Sequence, residues 1–280
     1  MQVLATGGTG RVGSRFVPRL LDHGHQVRVL VRDAERVASL SARGAEVVVG
    51  DLLETDTVKW SVEGVDCVIN LAAAFRGVPD EEARAINHHA AVELARAALA
   101  AGVERYVYAS TNLVYGPGRG RPAREDDDPR PGHVYPETKI AAERALGTLH
   151  RTDGLDLRIV RLAFVYGEGD PHLAESLMWA RNWPGHQRLH LLHHADVGQS
   201  LLRALQVDGV DGRTYNAADD APVSAVELHA LNGEPAPSDA DARPLEDPWA
   251  GIVDTTKIRT ELGFRPIYPS VYTARDAGAL

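Results

Sequence analysis

A short apolar run, residues 3–5, leads directly into T-G-G-T-G-R-V-G, residues 6–13, and a helical pattern follows. No other stretch restricts the fold as tightly. Gly7, Gly10 and Gly13 recur at three-residue spacing where a strand turns into a helix. Glycine lets the backbone turn sharply and approach a pyrophosphate closely, and the first amides of the helix stabilise the negative charge. A glycine triplet alone also describes ordinary loops; the strand before it and the helix after it point to a dinucleotide. Pro18 falls inside this first helix, where it removes one backbone hydrogen bond, and the sequence offers no functional reason for it.

Beyond the glycine loop, short β-rich runs alternate with helical patterns. The runs cover residues 27–31, 46–49, 66–71, 105–109 and 157–161. Such alternation predicts a doubly wound α/β protein, a Rossmann-type parallel sheet wrapped by helices. The clearest helices span 79–101 and 135–151, stopped by Gly102 and Gly154. After Arg161 the pattern loosens, and 232–251 is a connector rich in Pro, Asp and Ala. A dinucleotide-binding lobe over 1–165, continued by 196–217, is therefore expected, with a smaller substrate lobe from 166–195 and 218–280. The 280 residues, 44% of them hydrophobic, can bury the core this requires.

The formal charge of -9 disfavours a phosphate-backbone partner, so nucleic acid is not expected. The one cysteine, Cys67, sits in an apolar run and reads as a core residue. No basic-then-apolar leader opens the chain, and no apolar run approaches the ~18 residues that span a bilayer. A cytoplasmic protein without membrane contact is the expectation. The histidines at 186, 190, 193 and 194 have no recognisable ligand spacing, so no metal is expected. The acidic run 125–128 reads as a solvated stretch.

Three further features carry chemistry. The second strand ends L-V-R-D, and Arg32 at that edge can fork onto a ribose 2′-phosphate; the plain alternative is a surface ion pair with Asp33 or Glu35. Y-P-E-T-K opens a helix, so Tyr135 and Lys139 share a face at i, i+4 spacing. A phenol near pKa 10 is a poor acid-base group at neutral pH, and a neighbouring ammonium together with a nicotinamide charge is expected to lower it. Finally, S-T-N-L-V-Y-G, residues 110–116, follows a buried strand, which puts Ser110 and Thr111 where ligands bind in open α/β sheets. Which of the two hydroxyls acts is not decided by these residues alone.

Taken in order, TGGTGRVG, GDL at 50–52, NLAAA at 70–74, Asn87, STNLVYG, YPETK, RLAFVYGEGD from 161 and DTTKIRTELGFRP from 254 resemble the extended short-chain dehydrogenase/reductase superfamily over nearly the whole chain. The resemblance implies a cofactor held by Gly7, Thr9, Gly10, Arg11, Val12 and Gly13. Asp51 and Leu52 would flank adenine, and Leu71, Ala72, Ala73 and Ala74 would lie along the cofactor. It makes Thr111 the hydroxyl that polarises a substrate carbonyl, Tyr135 the proton donor and Lys139 the holder of the nicotinamide ribose. Asn87 would anchor a relay water, or else pack against a neighbouring loop. The family's acidic NAD-selecting position falls on Val31, with Arg32 next, which favours NADPH over NADH; Arg11 is a second candidate for the 2′-phosphate. The alanine-rich helices 79–101 and 135–151 imply a homodimer.

Two departures bear on the substrate. Sugar dehydratases of the resembled family carry an Asp-Glu pair after the hydroxyl, whereas Asn112 and Leu113 can neither remove nor supply a proton. Segment 168–196 is short and lacks the stretch that grips a nucleotide diphosphate. The expected activity is an NADPH-dependent ketoreductase acting on a small cyclic or aromatic ketone, a substrate that would suit Trp179, Trp183 and Trp249. The alternatives are a nucleotide-sugar epimerase and a dinucleotide-binding sensor or scaffold without turnover.

Overall fold

The computed structural model describes residues 1–280. Six parallel strands, β1 (Gln2–Thr6), β2 (Gln26–Val31), β3 (Glu46–Val49), β4 (Cys67–Asn70), β5 (Arg105–Thr111) and β6 (Leu157–Leu162), are joined by a seventh, Arg213–Ala217. Their spatial order is Arg213–Ala217, β6, β5, β4, β1, β2, β3. The chain builds outward from β1 through β2 to β3, then returns to the other side of β1 with β4. The crevice at the carboxyl ends of β1 and β4 is therefore the topological switch point, where such sheets bind ligands.

Alternation along each strand divides the core. Val3 and Ala5, Val27 and Val29, Val107 and Ala109, and Val160 and Leu162 point to one face, against Phe16, Leu20, Val197 and Leu201. Leu4, Leu30, Tyr106, Tyr108 and Ile159 point to the other, against Val58, Leu94, Ala98 and Leu146. Both faces are covered, as an all-parallel sheet requires. A third, smaller apolar cluster contains Tyr166, Leu177, Leu191, Leu228 and Val271. Cys67 is buried, and that burial raises its thiol to about 11.

Two elements depart from the sequence reading. β5 runs to Thr111 instead of stopping at Ala109, because the parallel ladder continues through Ser110 beside Arg161 and Thr111 beside Leu162. The long helix is in three pieces: α-helical over Asp80–Arg84, a π turn over Ala85–Ala90, and α-helical again over Ala91–Ala100. The extra residue per turn shifts the helical phase and brings Asn87 inward. Helix Gly13–Asp22 keeps Pro18 inside it. The 125–128 run is only partly solvated: Glu125 accepts from the Asn216 amide, and Asp127 pairs with Arg121. No helix is long and apolar enough to cross a membrane, and no cluster of His, Cys, Asp or Glu could hold a metal ion.

Candidate active site

The glycine loop fits a dinucleotide in its packing. Gly7 has φ +71, and a Cβ there would stand 2.7 Å from the Leu71 carbonyl carbon; one on Gly13 would stand 2.1 Å from the Gly7 oxygen. Larger residues would push the first strand, the first helix and the 71–74 segment apart. The Gly10 amide closes the turn onto Gly7 O at 2.9 Å, whereas the Arg11 and Val12 amides make no hydrogen bond within the chain. Those free donors at a helix N-terminus suit a pyrophosphate, with Thr9 partly exposed beside them.

The two arginines proposed for a 2′-phosphate differ. Arg11 is committed elsewhere: it pairs with Asp170 at 3.1 Å and holds Glu175 through both terminal nitrogens. Residues 159 and 164 positions away in the chain thus engage the side chain expected to serve that phosphate. Arg32 is exposed at the end of β2 and makes neither a hydrogen bond nor an ion pair, so the surface pairing with Asp33 or Glu35 is absent. Asp33 instead accepts from the Glu35 amide. Across from it, Asp51 and Leu52 follow β3, and Asp51 caps its own turn by accepting from the Leu53 amide.

After β4 the chain is held by buried amides. Asn70 Oδ1 accepts from Thr6 Oγ1 at 2.8 Å and from the Ala72 amide at 3.2 Å. Asn87 donates to Ala74 O and Thr138 Oγ1 and accepts from the Ala74 amide. These bonds fix Ala74 against the Tyr135 helix, the packing expected of a buried asparagine beside a loop.

The paired hydroxyls of β5 separate clearly. Ser110 donates to Glu143, a buried carboxylate that also takes a forked pair of bonds from Arg161. Arg161 in turn donates to Tyr115 Oη, which donates to Asn216. Ser110 therefore belongs to a buried charge network. Thr111, at the strand's last position, only accepts the Leu113 amide at 3.3 Å, which leaves its proton to donate. Asn112 Nδ2 is tied to Gly251 O at 3.0 Å, and Leu113 is exposed.

Helix Val134–Asp153 packs antiparallel to the strands along β5. Tyr135 therefore comes over the strand's carboxyl end, with Lys139 one turn deeper. Lys139 Nζ donates to Ala109 O at 2.9 Å and lies 4.6 Å from the Tyr108 ring. Burial lowers this ammonium to about 7, opposed by the charge of Glu143. Burial raises the Tyr135 pKa, and the cation that pulls it back is Arg76.

Around Tyr135 stands a group of residues that sequence reading missed. Phe75 packs edge-on against the Tyr135 ring at 4.6 Å, and Phe164 stacks on His172 at 3.9 Å. Arg76 lies over both Phe75 and Trp179, at 4.2 and 3.9 Å. The available signal was position, since Phe75 and Arg76 directly follow NLAAA at the end of β4. Of the other tryptophans, Trp183 packs against the third apolar cluster and Trp249 stacks with Arg188.

Residues 3–218 match the NAD dependent epimerase/dehydratase family. The chain belongs to that family. A crystal structure of a short-chain dehydrogenase/reductase superfamily protein from Agrobacterium tumefaciens, with bound NAD, superposes with a TM-score of 0.79. It shares 23% identity and covers 99% of this chain and 96% of the other. A 3 beta-hydroxysteroid dehydrogenase/Delta 5-->4-isomerase of Mycobacterium tuberculosis is 33% identical over 189 residues, 63% of this chain; the match spans only half that relative's length. A 4-hydroxy-2-methyl-3-oxo-4-farnesyl-3,4-dihydroquinoline-1-oxide ketoreductase of Stigmatella aurantiaca is 30% identical over 80% of this chain and 70% of its own. In this epimerase/dehydratase-family protein, Thr111 ends β5 and Lys139 bonds to Ala109 of the same strand, at the carboxyl side of the sheet.

Proposed function

We propose that the protein is an NADPH-dependent ketoreductase. One observation carries the choice of reaction: Tyr135 stands without an acid-base partner for elimination, because Asn112 is tied to Gly251 O and Leu113 has no proton to give. A dehydratase needs a second acid-base pair beside the redox tyrosine. The free Arg32 at the end of β2 supports NADPH, since a guanidinium fork suits a 2′-phosphate.

The residues that would hold the cofactor are the free amides of Arg11 and Val12, Arg32, the 71–74 segment and Lys139. Bound there, it supplies a hydride to the ketone carbon. Thr111 and Tyr135 hydrogen-bond the carbonyl oxygen, and Tyr135 delivers its proton as that oxygen gains charge. Burial keeps the phenol protonated at neutral pH, the form that reduction needs. The aromatic residues gathered near Tyr135, with Phe75 edge-on to its ring, are in keeping with a cyclic or aromatic ketone. The names of the mycobacterial and Stigmatella relatives likewise specify a steroid and a quinoline.

The test is consumption of added NADPH with a panel of cyclic and aromatic ketones. Stoichiometric oxidation supports the reading. Tightly bound NAD⁺ that co-purifies, together with redox-neutral conversion of a nucleotide sugar, would replace it with an epimerase. Cofactor binding with no turnover of any carbonyl would leave a sensor or scaffold.

A further inference from the structure

We propose that Arg76 anchors the substrate, and that the ketone this site serves carries a carboxylate. The inference rests on the ketoreductase reading and adds the substrate's charge to it. Arg76 is exposed on the segment after β4 and makes no hydrogen bond or ion pair. Its guanidinium carbon lies 4.2 Å from the Phe75 ring centroid and 3.9 Å from that of Trp179, a residue of the other lobe. Rings stacked on the planar group leave its N–H edges as the route for a partner.

No group of the protein supplies that partner. The acid whose charge reaches Arg76 most strongly is Glu175, and both of its oxygens are taken by Arg11. His172, stacked on Phe164 and edge-on to Phe75, feels the positive charges of both Arg76 and Arg11. Arg11 is balanced by Asp170 and Glu175, so in a chain of formal charge -9 Arg76 is the cation of this group left without a carboxylate partner. Such a site draws an anion out of an otherwise repulsive field.

The distance to the chemistry is short. The Phe75 ring that carries Arg76 also packs on Tyr135 at 4.6 Å, so one aromatic ring separates the guanidinium from the phenol. A ketone held by Tyr135 and Thr111 can therefore place a carboxylate, a few bonds from its carbonyl carbon, on the guanidinium fork. Two parallel N–H···O bonds fix its orientation as well as its affinity. His172 adds an acceptor nearby: its Nδ1 bonds to Val165 O at 2.9 Å, while its buried Nε2 has no partner.

The test uses 4-oxocyclohexanecarboxylate and its methyl ester as probes, with the protein saturated in turn with NADP⁺ and NAD⁺. Binding is followed by quenching of tryptophan fluorescence and confirmed by calorimetry. The acid is expected to bind about 10-fold or more tightly than the ester, the size of a charge-assisted pair. In Arg76→Gln that preference should fall to about one, and Arg76→Lys should keep part of it. A thermal melt confirms that both variants are folded. Equal binding of acid and ester by the wild type, a preference unchanged in Arg76→Gln, or binding of neither probe would overturn the anchor. So would Arg76-dependent binding of UDP-glucose where the keto acid fails to bind. NADPH oxidation read in parallel separates the two ideas. Turnover of both probes at equal efficiency keeps the reductase and removes the anchor; an Arg76-dependent preference without any oxidation keeps the anchor and removes the reductase.

Discussion

The Lys139 ammonium is bonded to the main-chain oxygen of Ala109 at 2.9 Å, two residues before Thr111, and is turned toward the strand instead of toward Tyr135. The bond pins the first turns of helix Val134–Asp153 to the end of β5. It also leaves a cation buried, and burial carries its pKa from 10.5 down to about 7.

That depression makes stability depend on pH. Between 7 and 10.5 the unfolded chain keeps a proton on this lysine that the folded chain has lost, so this group makes stability rise with pH across that window. The cost is fully present below 7 and is relieved above 10.5. Lys139→Met should therefore be more stable than the wild type at pH 6, by on the order of a few kcal/mol less the lost Ala109 bond, and should lose that advantage near pH 10. Thermal unfolding at the two pH values measures it, and an equal difference at both would show that Lys139 does not titrate in this range.

Tyr135→Phe should lower kcat for ketone reduction by on the order of 10² or more while leaving cofactor affinity intact, since only the proton source is removed. Steady-state kinetics with a cofactor titration check this. Near-normal turnover would displace Tyr135 from the mechanism.

The two neighbouring hydroxyls should separate by phenotype. Thr111→Ala removes a donor to the carbonyl oxygen and should cost about 10-fold in kcat, less than the loss of Tyr135, with little change in melting temperature. Ser110→Ala removes a bond to the buried Glu143 carboxylate and should cost about 1.5–3 kcal/mol of stability, with kcat largely kept. Reversed phenotypes would reassign the carbonyl contact to Ser110.

Arg32→Ala should weaken NADPH by about 1.5–3 kcal/mol and leave NADH nearly unchanged. Because Arg11 is held by Asp170 and Glu175, it should not rescue the variant. Dissociation constants for both cofactors decide the matter, and equal losses would show that Arg32 is structural.

We propose a homodimer through the helices ending at Ala100 and beginning at Val134, whose alanine-rich faces permit close approach. Light scattering at micromolar concentration should return twice the chain mass of 30.3 kDa. A value at the chain mass itself contradicts the dimer.

What the sequence by itself determined is everything written in short-range periodicity. Alternating strands, the glycine spacing, and the i, i+4 placement of Tyr135 and Lys139 are local, because backbone sterics and side-chain direction repeat over two to four residues. Those features were enough for the parallel sheet, and they placed the glycine turn and the Tyr135 helix along the chain. Tertiary structure alone decided which polar groups remained free. Arg11 met carboxylates some 160 positions away, whereas Arg32 met none. Asn87, brought inward by a π turn, spent its amide on Ala74 and Thr138. Ser110 went to Glu143 while the Thr111 hydroxyl kept its proton uncommitted, and Arg76 came to rest on Trp179 with no acid to answer it. Each of these outcomes depends on which distant side chains the completed fold brings within about 3 Å to 4 Å, the range over which hydrogen bonds and contacts act, and no local pattern encodes that distance.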